Sequence, residues 1–460
     1  MMELKGKKVL VVGLGKSGLA AALFLRHCGA QVTVSDKSSA EALAKDIPAL
    51  LDEGIMVEAG GHGLLTFRRQ DLIVVSPGVP LNTPELAQVK SFGLPVIGEL
   101  ELAARFLKGR MLAITGSNGK TTTTALVGEI LEKAGIPVLV GGNIGVPVVG
   151  LIDQSRDETW SVLEVSSFQL ESTDRFHPSI AVILNITPDH LDRHGSFENY
   201  ARAKERIFAA QDERDYAVLN ADNARAAEAA SRSAAKVYWF SIEHPVERGA
   251  WVEGGYLVYR PGEGATVEKI MPLSGIPLKG EHNVENVLAA VCAARLAGAP
   301  GEAIRLTIEA FKAVEHRLEH VATINGVEFY NDSKATNVDA TAKAIAAFSS
   351  GIHLILGGKD KGSDYLQLAQ LLRARVRAVY TIGSAAAKIE SQLRGLVSIH
   401  SCETLEVAVG AAGSAARPGE VVLLAPACSS FDQFENYEHR GRVFKELVGE
   451  RRGWKVWQNA

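Results

Sequence analysis

Short uninterrupted runs of apolar residues recur along this chain, separated by longer stretches whose apolar positions return at helical spacing. An uninterrupted run suits a strand buried on both faces, so the alternation predicts α/β layers built on mostly parallel sheets. The order restarts twice. Residues 8–12, 31–35 and 71–75 form a first set of strands, closed by the stretch Gly93-Leu-Pro-Val-Ile-Gly98. A second set takes in 111–115, 137–140, 160–165, 180–186 and 216–219, then strand-rich sequence near 237–278 and a helix from about 283 to 297. The turn Gly298-Ala-Pro-Gly301 follows, and a third set begins after His316-Arg317 with 326–330, 352–356, 378–382 and 420–425. A chain of 460 residues exceeds what one hydrophobic core usually serves. The reading is three α/β domains over 1–98, 99–313 and 314–460, Rossmann-like at both ends with a P-loop ATPase-like domain between them.

Chemistry concentrates where apolar runs meet glycines. Met111-Leu-Ala-Ile-Thr-Gly-Ser-Asn-Gly-Lys-Thr-Thr-Thr-Thr124 reads as a strand turning through two glycines into a helix. Such a turn cradles a polyphosphate: glycines let backbone N–H groups approach, a lysine neutralises charge, a threonine hydroxyl can hold Mg²⁺, and the helix directs its positive end at the anion. Gly116, Ser117, Asn118, Gly119, Lys120, Thr121 and Thr122 are the candidates. A strict G-x-x-x-x-G-K-[ST] pattern would need glycine where Ile114 stands, so the tighter form points to a subgroup of ATP-using enzymes.

A second glycine loop, Gly13-Leu-Gly-Lys-Ser-Gly18, follows the first strand, and Asp36 and Lys37 follow the next. That context suits a pyrophosphate-linked nucleotide, either a dinucleotide or a UDP-sugar, held by Gly15, Lys16, Ser17 and the Asp36 carboxylate. Nothing nearby resembles a hydride-transfer centre. Ser76-Pro-Gly78, with Pro77 at its middle, would lie at the same carboxyl edge of the sheet. Beside the phosphate cradle, Glu164 ends an apolar strand and could supply Mg²⁺ with another oxygen. His190 follows another strand in Asn185-Ile-Thr-Pro-Asp-His190. Lys204 reads by composition as a solvated helix lysine, and its ammonium would repel a metal unless it met phosphate or became a carbamate.

Composition narrows the classes. Hydrophobic residues make up 47% and charged residues 22%, as in ordinary globular proteins, and the net charge of -4 gives no general attraction to nucleic acid or anionic lipid. The four cysteines are far apart with no C-x-x-C spacing, which suits free buried thiols in a reducing cytoplasm. The apolar run 9–12 is cut short by Gly13, Gly15 and Lys16, so neither a signal peptide nor membrane insertion is expected.

Thr115-Gly-Ser-Asn-Gly-Lys-Thr121, Gly142-Asn-Ile-Gly145, Glu164-Val-Ser-Ser-Phe-Gln-Leu170, Asn185-Ile-Thr-Pro-Asp-His190, Gly280-Glu-His-Asn283, His316-Arg317 and Asp332-Ser-Lys-Ala-Thr-Asn337 together resemble the Mur ligase superfamily, in matching order along the whole chain. These are ATP-dependent amino-acid ligases of bacterial cell-wall synthesis. Asp332–Asn337, Gly357-Gly-Lys-Asp-Lys361 and Ala427-Cys-Ser-Ser-Phe-Asp-Gln-Phe-Glu-Asn-Tyr-Glu-His-Arg-Gly441 resemble its D-glutamate-adding branch. The Asp-Asn-Pro-Arg motif that resembles diamino-acid selection is absent.

The resemblance implies that Lys120 and its neighbours bind the ATP phosphates, while Thr121 and Glu164 hold one Mg²⁺. His190 would help hold a second, with Lys204 as a carbamate. Asn143 would contact UDP-N-acetylmuramoyl-L-alanine, with His190 also on that substrate. Asn283, Asn286, Arg317, Asp332 and Lys334 would surround ATP, and Thr336, Lys361, Ser430, Phe431 and Tyr437 would take D-glutamate. Three domains closing on three ligands would exclude water, in a cytoplasmic monomer. Two rivals remain at this point: an NAD-linked protein built on Gly13–Gly18, and a related ligase acting on folate or another wall precursor.

Overall fold

A computed structural model describes residues 2–312 and 314–454 of the chain. Residues 313 and 455–460, which fall at the end of the expected central domain and of the last one, lie outside the described residues. Contacts divide the chain into two compact units, one within Met1–Ile186, Glu198–Gly275 and Glu285–Glu309, the other within Thr187–Phe197, Ile276–Val284 and Ala310–Ala460. The first unit carries two sheets and the second carries one.

The first sheet has five parallel strands in the order Met56–Ala59, Gln31–Asp36, Lys8–Val12, Leu72–Val75, Val96–Gly98. Val9, Leu10, Val11 and Val12 are buried because the central strand is covered on both faces. The chain reverses direction across this sheet on either side of Lys8–Val12, which opens a crevice at the carboxyl edge where Gly13 begins.

The second sheet has nine strands. Its P-loop strand, Arg110–Thr115, lies between Ile180–Ile183 and Trp160–Glu164 in parallel pairing. Tyr256–Arg260 runs antiparallel to both its neighbours, Gly249–Glu253 and Glu268–Pro272, at the far edge. The two sheets of this unit are joined by the helix Glu99–Ala104, whose buried carboxylates act as caps. Glu99 Oε1 accepts from Val149 N at 2.8 Å, and Glu101 Oε2 accepts from Asp174 N at 2.8 Å and Arg175 N at 2.9 Å.

The third sheet orders Glu319–Ile324, Val327–Asn331, Val421–Leu424, Ile352–Gly357, Val376–Ile382 and Ser398–Glu403, with only the first pair antiparallel. Four strands missing from the sequence reading, Met56–Ala59, Val96–Gly98, Glu319–Ile324 and Ser398–Glu403, are all edge strands. Half of such a strand faces water, so its sequence carries no apolar run. The strand expected to reach residue 186 ends at Ile183, because the backbone of Asn185 turns to bond Ser117 instead of a neighbouring strand. Among the cysteines, Cys28 is only half-buried, which corrects the expectation that all four are buried.

Candidate active site

The turn after Arg110–Thr115 is shaped by what its glycines exclude. Gly119 has φ 89° as it caps the helix Lys120–Lys133, and a Cβ there would stand 2.1 Å from Asn286 Oδ1. Both facts demand glycine, and the second places the buried Asn286 side chain directly against the loop. Asn185 holds the other side: Ser117 N donates to its carbonyl at 2.9 Å and Asn118 N to its Oδ1 at 2.9 Å.

Two ammonium groups converge on one carbonyl. Lys120 Nζ donates to Gly116 O at 2.7 Å and Ser117 O at 2.9 Å, and Lys204 Nζ donates to Gly116 O at 2.8 Å. Lys204 is 1% exposed and lies 4.6 Å from the centre of the Tyr200 ring, whose hydroxyl is 3.0 Å from Ser117 Oγ. The solvated-lysine reading of Lys204 is therefore wrong. Its neighbours along the helix are polar enough to suggest exposure, but the helix turns this position and Tyr200, one turn earlier, onto the phosphate loop. Positive charge gathered at a helix start suits a polyphosphate.

Glu164 pairs in register with Ile114, so its carboxylate stands at the sheet edge beside the loop. It is 1% exposed; Asn143 Nδ2 donates to its Oε1 at 2.8 Å and Asn143 N to its carbonyl at 2.8 Å. Gly142, at φ 111°, permits this approach, since a Cβ would meet Glu164 O at 2.3 Å. Thr121 and Thr122 are buried in the first helical turn. A hydroxyl and a carboxylate offer the hard oxygens that Mg²⁺ prefers, so this donor set fits the ion, whereas an ammonium at Lys204 does not.

In the other loop of this unit, a Cβ on Gly18 would stand 1.9 Å from Gly13 O, and Ser76 Oγ donates to that same oxygen at 2.7 Å. Gly15 and Lys16 are exposed at the start of the helix Lys16–His27, with Ser17 half-buried. The Asp36 carboxylate, expected to meet a ribose, also braces its own loop. Its Oδ2 accepts from Leu14 N at 2.6 Å and its Oδ1 from Ser38 N at 2.7 Å. Against the upward pull of partial burial, those N–H groups hold its carboxyl below the ordinary range. Lys37, next to Asp36, is exposed, as is Gly78 in the loop after Ser76, and Pro77 is half-buried.

The second unit carries the remaining candidates. His190 adopts a left-handed conformation, φ 52°, and precedes the turn Leu191–His194. Its neighbour Asp189, which the sequence gave no reason to select, is a junction: Asn337 Nδ2 donates to Oδ2 at 2.9 Å and Lys361 Nζ to Oδ1 at 3.4 Å. An antiparallel bridge between Lys359 and Ser429 sets the Lys361 loop beside the Ser430 loop. Ser430 is buried, while Phe431 is 68% exposed. Thr336 N donates to Lys334 O at 2.9 Å, and the Lys334 ammonium lies 4.9 Å from the Tyr437 ring centre.

Burial pushes the Asp332 carboxyl up to about 6 against the opposing pull of Arg317. Arg317 Nε is buried with no hydrogen-bond partner among the described residues, a donor left for an anion. Burial, with the Lys343 and Arg317 cations, pushes His282 down to about 3. Next to it, Asn283 Nδ2 donates to Lys279 O at 2.7 Å.

Three family models match in order: the Mur ligase MurD-like N-terminal domain over residues 7–98, the Mur ligase middle domain over 114–294, and the Mur ligase glutamate ligase domain over 316–428. A protein of Acidobacterium capsulatum named UDP-N-acetylmuramoylalanine–D-glutamate ligase is 71% identical over 459 residues, covering 100% of both chains. The chain belongs to the Mur ligase family. A relative of the same name from Koribacter versatilis is 60% identical, over 97% of this Mur ligase and 98% of the relative. Two solved Mur ligases from Thermotoga maritima share the three-domain fold. The UDP-N-acetylmuramate–alanine ligase has a TM-score of 0.59 at 20% identity, over 97% of this chain and 100% of that one. The MurF ligase, in complex with ADP, has a TM-score of 0.61 at 17% identity, over 98% and 100%. Because the MurD-like model spans Gly13–Gly18, that loop belongs to a ligase domain, and the NAD-linked rival is set aside.

Proposed function

We propose that this Mur ligase joins D-glutamate to UDP-N-acetylmuramoyl-L-alanine with cleavage of ATP to ADP and phosphate, as a cytoplasmic monomer. The observation that carries the reading is full-length similarity, at 71% identity, to a protein bearing that activity in its name. Residues 1–98 are assigned to the UDP substrate, 99–313 to ATP and 314–460 to the amino acid. No helix among the described residues is long and apolar enough to cross a membrane.

A carboxylate is a poor electrophile, so it must be activated. Its oxygen attacks the γ-phosphorus, the bond to ADP breaks, and an acyl phosphate results. The D-glutamate amine then attacks the acyl carbon, the carbon–oxygen bond to phosphate breaks, and the nitrogen loses a proton. Lys120 and the loop around Gly119 suit the ATP phosphates, and the unpartnered Arg317 Nε suits the charge gathered when two anions meet. Thr121 and Glu164 would hold Mg²⁺, with His190 and a carbamylated Lys204 at a second site; the bound ion would neutralise the same charge. Asn283, Asn286, Asp332 and Lys334 are assigned to the nucleotide, and Asn143 to the muramoyl group.

D- and L-glutamate differ only in arrangement. Thr336 and Lys361 on one side, and Ser430, the Phe431 backbone and Tyr437 on the other, offer donors that could fix both carboxylates and aim the amine. The test is ADP release with UDP-N-acetylmuramoyl-L-alanine and each glutamate isomer. We expect release with D-glutamate only; equal release with L-glutamate, or dependence on a folate acceptor, would overturn the assignment.

A further inference from the structure

The helix Tyr437–Trp454 carries an arginine that no ligand reaches. Arg440 is 0% exposed, and burial pushes it down to about 10, so it stays charged at neutral pH. Among the described residues no carboxylate hydrogen-bonds it, and Asp432 acts on it only through space. Its planar fork is spent instead on three uncharged oxygens: Nε donates to Ser333 Oγ at 3.0 Å, Nη2 to Ser333 O at 2.7 Å, and Nη1 to Cys428 O at 3.2 Å. A buried cation that no carboxylate bonds directly is costly, so its retention calls for a role that an apolar side chain of similar volume would not fill.

The two segments it joins leave different strands of the third sheet, Val327–Asn331 and Val421–Leu424. One carries Asp332, Lys334 and Thr336; the other carries Ser430 and Phe431. A single backbone bond, Ala427 N to Ala335 O at 2.9 Å, also links them. Each attachment point makes a further contact, the first of them to the helix that carries Arg440. Ser333 Oγ donates to Tyr437 O at 2.8 Å, and the Cys428 thiol lies 3.0 Å from the Tyr365 hydroxyl. The next residue, Gly441, extends the same junction: a Cβ there would stand 2.2 Å from His316 Nδ1, beside Arg317.

We propose that Arg440 is a positioning residue that clamps the Asp332–Thr336 segment to the Cys428–Phe431 segment, fixing the two halves of the amino-acid subsite in one register. The catalytic part of this inference rests on the proposed function; the clamp itself does not. A lysine keeps the charge but lacks the fork, so it cannot reach all three oxygens at once.

The experiment compares the full chain with Arg440→Met and Arg440→Lys, by amide hydrogen exchange without ligands and by steady-state kinetics. In both variants we expect exchange in 332–336 and 427–431 to accelerate together, by about tenfold or more, while Arg110–Thr115 is unchanged. The KM for D-glutamate should rise by about tenfold or more while that for the UDP substrate stays as in the wild type. Wild-type exchange and KM in Arg440→Lys would show that charge alone suffices and overturn the clamp, as would acceleration in only one segment or in neither. If Arg440→Met does not fold, Arg440→Lys and Ser333→Ala carry the same comparison. Should the wild type release no ADP with D-glutamate, the proposed function fails, and the exchange data still decide the clamp.

Discussion

Lys204 shows most sharply how one residue's surroundings alter its chemistry. As an ammonium it ties Gly116 O and lies over Tyr200, both within the phosphate loop's own framework. Beside Mg²⁺ the same ammonium would be repelled, whereas a carbamate on that nitrogen would supply oxygens of the kind the ion takes. We expect Lys204→Ala to lose nearly all ADP release and to regain part of it with formate or acetate, which fit the vacated space as small carboxylates. Carbon-13 bicarbonate should give a carbamate resonance in the wild type that the variant lacks. Full activity after rigorous removal of carbon dioxide and bicarbonate would instead make Lys204 a purely structural amine. Sequence could name Lys204 through its family likeness, yet neither its burial nor its Tyr200 contact was legible. Asp189 and Asn185 were invisible for the same reason: their roles come from partners distant in sequence, Lys361 and Asn337 for one and the phosphate loop for the other.

The helix Glu99–Ala104 poses a test at the level of the element. Glu99 is fully buried with one carboxyl oxygen on Val149 N, and its Oε2 has no hydrogen-bond partner among the described residues. Burial, opposed by the Val149 and Val148 N–H groups, pushes its carboxyl up to about 7 from an ordinary 4.5. Below the lower value both folded and unfolded chains hold the proton, and this group imposes no penalty. As pH rises toward 7 the unfolded chain loses its proton first, so the folded state is destabilised, by roughly 3 kcal/mol once both are ionised. We expect Glu99→Gln to be the more stable protein above pH 7 and to show a flatter loss of stability between pH 5 and 7 in urea unfolding. The raised Asp332 leaves a remaining slope of the same sign. A variant with the wild-type slope would show that Glu99 is ionised in the fold. Elements of this kind were only partly legible. The central parallel strands were evident as apolar runs because both their faces are covered, but the sequence reading singled out nothing in the helix that joins two sheets through buried carboxylates.

Across the whole molecule, two glycine loops open from two sheets, one within the MurD-like N-terminal model and one within the Mur ligase middle-domain model, and the proposed function gives each its own nucleotide. The MurD-like model spans Gly13–Gly18, and the Asp36 carboxylate that braces this loop through Leu14 N and Ser38 N keeps lone pairs for a further donor. We therefore expect UDP to raise the melting temperature of the full chain and NAD to leave it unchanged, with the shift growing with the logarithm of UDP concentration above its Kd. A shift with NAD and none with UDP would restore the dehydrogenase-like use of that loop. The other loop has a different consequence. Because Lys120 already donates to the Gly116 and Ser117 carbonyls, ATP bound there as proposed would not fill a bare socket but enter by exchange, displacing bonds as it makes them. Its affinity would then be a difference between two wirings of the same lysine, and calorimetry should find less heat than the number of phosphate contacts alone would suggest.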